Sequence, residues 1–300
     1  MNKKLIIICG PTASGKSALA LKLAKLLDTE IISADSLAIY KRLDIGTAKP
    51  TIKEQSEVKH HLINVVEPTE TFSVSNFEEL ALPIISDLLS RGKHPIICGG
   101  TGFYINSILY KLSYGNAQAN LEVRKKYQDL FEKEGALTVY SELQKVDPES
   151  AKKLHANDVK RVIRALEIFY STGVKKSLQN DVLTPRFDYV AVTPELDRQT
   201  LYNRIEKRVD SMISDGLISE VKGLISDGIN LSHQSMQGIG YKETYDAVIT
   251  GDYSSFIDLI KLNTRHYAKR QITFFKRLEG LKTVSSNPDI GVQEILSLLK

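Results

Sequence analysis

Cysteine and long apolar runs are both scarce in this chain of 300 residues. Its two cysteines, Cys9 and Cys98, each end an apolar run just before a glycine, which is typical of small buried side chains and not of a disulfide or a metal-binding pair. We therefore expect a reducing compartment. No apolar stretch approaches the ~20 residues that a membrane helix needs, and the N-terminus runs into a predicted strand without a signal peptide. These absences predict a cytoplasmic protein that does not span a membrane.

A strong excess of charge of one sign is also lacking. The 40 lysines and arginines are offset by 36 aspartates and glutamates, so the formal net charge is +4. Any nucleic-acid partner would therefore be bound by local basic patches and not by a uniformly basic surface. Hydrophobic residues make up 42% of the chain, which is enough to bury a large core in one main domain with an addition, or in two domains.

A phosphate-binding loop (P-loop) lies near the start of the chain, directly after the apolar run 5–9. Its pattern is G-x-x-x-x-G-K-[ST], and its residues are Gly10, Pro11, Thr12, Ala13, Ser14, Gly15, Lys16 and Ser17. The glycines allow successive N–H groups to point at one phosphate, Lys16 supplies a positive charge, and the Ser17 hydroxyl is a ligand for Mg²⁺. A helix predicted over 17–27 directs its positive end at the same anion. The chain is therefore predicted to bind a di- or triphosphate, which the loop alone does not identify.

Short apolar runs alternate with helical periodicity through the first third of the chain. The runs 5–9, 30–33 and 95–98, with a shorter fourth at 62–65, are typical of buried parallel strands. Helices are predicted between them, notably at 17–27 and 76–90. This alternation predicts a doubly wound α/β fold with a P-loop NTPase-like parallel sheet as its core. A later strand over 189–193 could join the same sheet.

The middle of the chain has a different pattern, charged and helical, over 121–133, 137–146 and 157–171. We predict an inserted all-helical domain at 116–181, between two parts of the α/β core at 1–115 and 182–300. From residue 197 onward the chain is again mostly helical, with a long segment near 253–278.

The reaction at the anion site depends on which acidic residue lies beside it and on what that residue does. A nucleoside triphosphatase usually has a second strand that ends in aspartate, but the run 95–98 ends in Gly-Gly-Thr-Gly. The acid at a plausible strand end is Asp35. It could be associated with a metal, as in small-molecule kinases, or it could be a general base that faces an acceptor. The loop itself favours neither role.

Several segments resemble the bacterial tRNA dimethylallyltransferases. The most specific is D-I-G-T-A-K-P at 44–50, which follows Asp-Ser-Leu-Ala-Ile-Tyr at 35–40. Further matches follow in the same order over essentially the whole chain, at 60–62, 99–104, 161–167, 204–208, 237–243 and 265–271. Enzymes of this family move a dimethylallyl group from its diphosphate to N6 of the adenosine immediately 3′ of the tRNA anticodon.

The resemblance implies roles for individual residues. Asp35 would be the general base for N6 and Thr101 a tRNA contact near the reaction centre, while Arg208 and Lys16 would neutralise the departing diphosphate. Mg²⁺ near Ser17 is the expected cofactor. The helical insert would contact the anticodon stem-loop, and we expect a monomer. The implied tRNA-binding residues are Asp35, Ser36, Leu37, Ala38, Thr101, Arg124, Lys160, Arg161, Val162, Ile163 and Arg164. Of these, Val162 and Ile163 also belong to an apolar stripe that helical spacing assigns to a core.

Two other hypotheses stay open on the sequence. An adenylate isopentenyltransferase, which prenylates free nucleotides, would share the P-loop and Asp35 but would not need the helical insert or the distributed arginines. A P-loop small-molecule kinase would instead turn over ATP. The insert and the arginines favour tRNA as the acceptor.

Overall fold

The structure, a computed structural model, describes residues 3–112, 120–179 and 183–300. Within these ranges it contains six β-strands: β1 (Leu5–Cys9), β2 (Ile31–Ala34), β3 (His60–His61), β4 (Ile96–Gly99), β5 (Tyr189–Glu195) and β6 (Lys282–Ser285). The same ranges contain thirteen α-helices: α1 (Lys16–Leu26), α2 (Ile52–Glu57), α3 (Val74–Ser90), α4 (Gly102–Leu109), α5 (Leu121–Glu134), α6 (Ala136–Val146), α7 (Pro148–Lys153), α8 (Val159–Thr172), α9 (Arg198–Ser214), α10 (Leu217–Ser226), α11 (Tyr241–Thr250), α12 (Phe256–Phe275) and α13 (Pro288–Leu299).

The strands form one parallel sheet in the order β3-β2-β4-β1-β5-β6. Every residue of the central strand β1 is buried, as expected for a parallel strand that is covered on both faces. The register places Cys9 opposite Gly99, and Gly99 opposite Ala34. The carboxyl ends of β1, β4 and β2 therefore lie side by side at one edge, which is where open α/β sheets bind their ligands.

The α/β class predicted from the alternation of runs is confirmed, and three early strands lie within one residue of their predicted positions. The fourth prediction was wrong. The strand is β3, at His60–His61, and 62–65 follows it as a turn in which Leu62 and Asn64 have φ values of 60° and 55°. Such angles lie outside the extended region that a strand requires. The edge strand β6 was missed.

The described chain divides into two compact units. The first comprises Met1–Leu109 and Pro185–Lys300 and contains the sheet, and the second is Tyr110–Thr184. Helices α5 to α8 form the second unit, with Tyr127, Val139, Leu143 and Leu166 in its core. The predicted insert, 116–181, begins six residues after the start of the second unit and ends three residues before its end. Residues 116 and 181 themselves lie outside the described ranges.

In the part of the chain that the structure describes, none of the helices is both long enough and apolar enough to cross a bilayer.

Candidate active site

Residues 10–17 form a tight loop between β1 and α1. Gly10, Ala13 and Gly15 adopt positive φ values of 135°, 61° and 92°, a backbone geometry that lets successive N–H groups converge on an anion. Gly10 is required for a second reason, because a Cβ there would lie 2.5 Å from Oγ1 of Thr193. Helix α1 begins at Lys16, with Gly15 as its N-cap. Since Gly15 has no side chain to cap the helix, the first amides of α1 are free to bind an anion.

Lys16 is a buried cation within this loop. Its Nζ donates to the backbone carbonyl of Pro11 at 2.6 Å. Burial lowers the pKa of Lys16 to about 8, and the charge of Arg208 acts in the same direction, although the charge of Asp35 acts to raise it. Lys16 therefore carries its charge at neutral pH but is poorly solvated.

Arg208, on α9, is a second cation and is partly buried. Its Nη2 donates to the backbone carbonyl of Thr47 at 3.0 Å. Burial lowers the pKa of Arg208, and the charge of Asp35 acts to raise it. Among the described residues, neither Lys16 nor Arg208 has a carboxylate within salt-bridge distance. Because a buried charge is costly unless it is paired, two such cations together define a binding site for an anion.

Asp35 follows β2 at the same edge of the sheet. Its Oδ1 accepts hydrogen bonds from the backbone N–H groups of Leu37, at 2.9 Å, and Ala38, at 3.2 Å, so the carboxylate caps the turn that follows β2. Within the described residues no group donates to Oδ2, which leaves that oxygen for a substrate. Beyond β4, Oγ1 of Thr101 accepts the backbone N–H of Ser36 at 3.1 Å. This bond ties the turn after β4 to the residue next to Asp35.

The D-I-G-T-A-K-P segment is fixed by Glu220, on α10. Its carboxylate accepts the backbone N–H groups of Asp44, Ile45 and Gly46 at 3.0, 2.8 and 3.3 Å, and the Tyr241 hydroxyl donates to it at 2.6 Å. A Cβ at Gly46 would lie 2.5 Å from the Tyr241 ring, so glycine is needed there. Thr47, the residue after Gly46, has the backbone carbonyl that accepts the hydrogen bond from the guanidinium of Arg208. The motif therefore helps to position that guanidinium.

Two cavities meet at this edge of the sheet. The smaller, of about 120 Å³, contains Lys16 and Ser17 and is called here the P-loop cavity. The larger, of about 390 Å³, has an apolar wall formed by α9, α12 and the segment before α11, and is called the large cavity. The residues common to both are Thr12, Asp35, Thr47, Arg208 and Tyr267. Among the described residues that line them, Asp35 is the one carboxylate. Groups bound in the two cavities would therefore meet beside a single carboxylate.

The structure brings most of the predicted residues of the first unit together. Thr12, Lys16 and Ser17 line the P-loop cavity, whereas the other residues of the loop do not, and the Ser14 side chain is fully buried. Ser36 and Leu37 line the large cavity, and Ala38 lines the P-loop cavity. Thr101 lines neither cavity and lies beside Ser36.

The predicted tRNA-binding residues of the second unit lie on α5 and α8. Lys160 and Arg161 are exposed at the start of α8. Val162 and Ile163 are 0% and 7% exposed and belong to the core of the unit. Their side chains thus pack inward, as helical spacing requires, and the contact with RNA that the resemblance implies stays a prediction.

Arg124 and Arg164 converge on Glu167, which is fully buried. Nε of Arg124 lies 2.8 Å from one carboxylate oxygen and Nη1 of Arg164 lies 2.7 Å from the other, and the backbone N–H of Asn120 also donates to this carboxylate. Burial acts to raise the pKa of Glu167, but these hydrogen bonds outweigh it and lower the pKa. Because a buried carboxylate is costly without such partners, both arginines have a structural role in the second unit.

Two residues of the site were given no role in the sequence analysis. Tyr267 and Gln271 lie four residues apart on α12, so they share one helical face, and both line the P-loop cavity. Burial raises the pKa of Tyr267 to about 12, so this phenol is neutral. The sequence of the segment 265–271 shows that the two residues are four positions apart, but it does not indicate what their side chains contact.

The side chains around the P-loop cavity suit a magnesium ion that is bound together with a phosphate group. In the ranges that the structure describes, no group of three or more His, Cys, Asp or Glu side chains could bind a metal. The Ser17 hydroxyl, exposed at the start of α1, is one of the protein oxygens that line the P-loop cavity. Mg²⁺ commonly binds in this way, through few protein ligands together with substrate phosphates and water.

The sheet and the P-loop define a protein of the P-loop class, in which one carboxylate lies where two cavities meet. The sequence model of a family described as IPP transferase matches residues 38–278, and a model described as isopentenyl transferase matches residues 3–67. The chain therefore belongs to the IPP transferase family.

Individual relatives agree with this assignment. The chain is 42% identical to the tRNA dimethylallyltransferase of Acetivibrio thermocellus over 301 aligned positions, covering 99% of this chain and 96% of the relative. For that of Shouchella clausii the identity is 46% over 275 positions, with 91% and 88% covered. A solved tRNA isopentenylpyrophosphate transferase from Bacillus halodurans shares 38% identity with a TM-score of 0.74, covering 99% of this chain and 95% of that chain. A eukaryotic dimethylallyltransferase solved while acting on tRNA shares 30% identity with a TM-score of 0.84, covering 98% and 77%.

Proposed function

We propose that this chain transfers the dimethylallyl group of dimethylallyl diphosphate to N6 of the adenosine immediately 3′ of the anticodon, in tRNAs that read codons beginning with U. Diphosphate is the second product. The names of the curated relatives support the reaction, and one solved relative acts on tRNA. The observation within the structure that carries the proposal is the position of Asp35, the one carboxylate that the described residues contribute to the junction of the two cavities.

In the proposed reaction the diphosphate of the donor lies in the P-loop cavity. As the bond between C1 of the allyl group and the bridging oxygen breaks, the oxygen keeps the electron pair and negative charge grows on the diphosphate. Lys16, Arg208 and the loop amides stabilise that charge, and the burial of Lys16 strengthens its interaction with the diphosphate.

The acceptor enters from the large cavity. N6 of adenosine bonds to C1, and its proton passes to Oδ2 of Asp35, while Oδ1 stays fixed by the amides of Leu37 and Ala38. The target base has to leave its stack in the anticodon loop to reach this point. The apolar side chains of Leu37 and Ile239 line the large cavity and offer surfaces for the faces of the base.

We propose Mg²⁺ as the cofactor, bound by the Ser17 hydroxyl and by oxygens of the donor diphosphate. When bound, it supplies further positive charge to the leaving group. The proposed role of this chain is to present Ser17 beside Lys16 at the start of α1.

We propose that tRNA is bound mainly through exposed cations. Lys160 and Arg161 project from α8, and exposed lysines and arginines also cluster near the end of α12 and just after it, at positions 269, 270, 276 and 277. Such contacts to phosphates would orient the RNA without reading its sequence. A monomer in the reducing cytoplasm is the setting that we propose, and Cys9 and Cys98 are both free thiols.

The alternative acceptor is a free adenine nucleotide. The isopentenyl transferase match at 3–67 includes the P-loop and Asp35 but ends before the second unit, whereas the IPP transferase match at 38–278 includes that unit. The longer match favours tRNA. A kinase is less well supported, because it would need an acid for its metal in addition to a base, and one carboxylate lines the described cavities.

The test is a transfer assay with three acceptors. The protein is incubated with Mg²⁺, dimethylallyl diphosphate and either an unmodified anticodon stem-loop, the same stem-loop with guanosine at the target position, or AMP, and the nucleosides are analysed by mass spectrometry. We expect prenylated adenosine from the first stem-loop alone. Prenylated AMP without prenylated RNA would support the free-nucleotide enzyme. A parallel incubation replaces the donor with ATP, and phosphate release there, without prenylation of any acceptor in the transfer assay, would overturn the proposal in favour of a kinase.

A further inference from the structure

Gln271, on α12, connects the two loops that enclose the P-loop cavity. Its side chain is 6% exposed. Oε1 accepts the backbone N–H of Thr12, in the P-loop, at 2.8 Å, and Nε2 donates to the backbone carbonyl of Gly100, after β4, at 2.9 Å. One carboxamide thus uses both of its ends on the backbones of two different loops.

The loop after β4 leads on to the proposed base. Thr101, next to Gly100, accepts the backbone N–H of Ser36, and Ser36 follows Asp35 directly. Tyr267, one helical turn before Gln271, lies near the side chains of Thr101 and Gln271. The face of α12 that carries Tyr267 and Gln271 therefore contacts the P-loop on one side and the neighbourhood of Asp35 on the other.

The packing around Gln271 leaves little freedom. A Cβ at Gly100 would lie only 2.1 Å from Nε2 of Gln271, so the carboxamide sits directly against the backbone of the turn. A buried amide that lost either bond would be left with an unsatisfied polar group, which is costly. Both loops are therefore held at a fixed distance from α12 and from each other.

We propose that Gln271 is a positioning residue. It fixes the P-loop, which would hold the leaving diphosphate, relative to the turn that orients Asp35, so that the allylic carbon lies between the leaving oxygen and the incoming N6. The inference rests on the proposed function. Gln271 contacts no reacting atom in this arrangement and acts through Thr12 and Gly100. A displacement of about 1 Å between reacting groups can reduce a rate by about 10²-fold.

Three substitutions at Gln271 separate its two bonds. Gln271→Glu keeps the acceptor for the Thr12 amide but loses the donor to the Gly100 carbonyl. Gln271→Asn keeps both kinds of group on a side chain too short to reach both loops, and Gln271→Ala removes them. Gly100→Ala displaces the carboxamide without changing Gln271 itself. If the link between the loops is what matters, Gly100→Ala lowers the rate as Gln271→Ala does, and the double variant is no slower than either single variant.

The measured quantities are kcat and KM for transfer to the stem-loop, with the melting temperature of each variant. We expect kcat to fall by about 10- to 10²-fold in Gln271→Ala and by less in Gln271→Glu. In the uncharged variants the KM for the donor should change by less than about threefold, because Lys16 and Arg208 still bind the diphosphate. Thr29→Val is the matched structural control, since Thr29 is 6% exposed and donates to the carbonyl of His94 at 2.8 Å, away from both cavities. It should lower the melting temperature without changing kcat.

Two outcomes would overturn the positioning role in an active wild-type protein. One is a kcat within twofold of wild type in both Gln271→Ala and Gly100→Ala. The other is a loss of kcat that follows melting temperature across all variants, Thr29→Val included, because that would indicate a general structural effect. A wild-type protein that prenylates no acceptor would be recognised separately, and it would overturn the proposed function and this inference with it.

Discussion

Raising the pH is expected to weaken binding of the donor diphosphate, because Lys16 is a buried lysine with a pKa of about 8. A bound diphosphate favours the charged form of Lys16, so above pH 8 binding must take up a proton. The affinity is therefore greatest below pH 8 and falls as the pH rises through that value. Lys16 is ~90% protonated at pH 7 and ~10% at pH 9, so the affinity should fall about tenfold, or ~1.4 kcal/mol. The pKa of Cys98 is raised by burial to about 11, so this thiol stays neutral over the range.

The assay is a calorimetric titration with a non-reactive analogue of dimethylallyl diphosphate between pH 6.5 and 9.5. Two buffers with different ionisation enthalpies count the protons taken up. Lys16→Arg is the control, because a guanidinium stays charged throughout, and ionisation of the ligand affects both proteins equally. The reasoning is refuted if the wild-type protein takes up no proton at pH 9 beyond that of Lys16→Arg.

The other predictions test the base, a tight turn and the proposed RNA contacts. Asp35→Asn should lower turnover by about 10²–10⁴ while titrated donor affinity changes little, and wild-type turnover would exclude Asp35 as the base. Gly46→Ala would place its Cβ 2.5 Å from the Tyr241 ring, so denaturant unfolding should report a loss of about 1–3 kcal/mol. A stability equal to wild type would mean that the turn adapts. Lys160→Ala combined with Arg161→Ala should weaken tRNA binding and reduce the slope of log K against log salt by about 1 to 2, whereas an unchanged slope would assign both to ordinary surface.

The central strands could be predicted because their residues are apolar and buried on both faces, so the signal is local. Strand β6 could not be predicted, because only Val284 of its four residues is buried and the other three have the pattern of a polar surface segment. The turn at 62–65 was mistaken for a strand because Leu62, Ile63 and the following valines supply an apolar run, while the positive φ of Leu62 has no counterpart in composition.

The P-loop and Asp35 were visible in the sequence because each belongs to a compact motif. The bonds that arrange the site were not visible, because they join distant positions. Thr12 and Gln271 lie 259 residues apart, and Gly46 and Glu220 lie 174 residues apart. The resemblance marked Gln271 as part of a motif, but only the fold shows what its two ends contact.

The same limit applies to the basic residues of the second unit. Arg124 and Arg164 look alike in sequence to Lys160 and Arg161, yet the first two contact the buried Glu167, whereas Arg161 pairs with the partly exposed Asp158. Sequence alone could not separate a cation that satisfies a buried carboxylate from one that lies on the surface.

The most direct test of the account is a crystal structure of the protein with an unmodified anticodon stem-loop and an unreactive thio analogue of the donor. The account predicts the diphosphate against Lys16 and Arg208, and N6 of the target adenosine within hydrogen-bonding distance of Oδ2 of Asp35, with the allylic carbon between them. A diphosphate bound away from the P-loop, or an adenine whose N6 contacts a group other than Asp35, would contradict it.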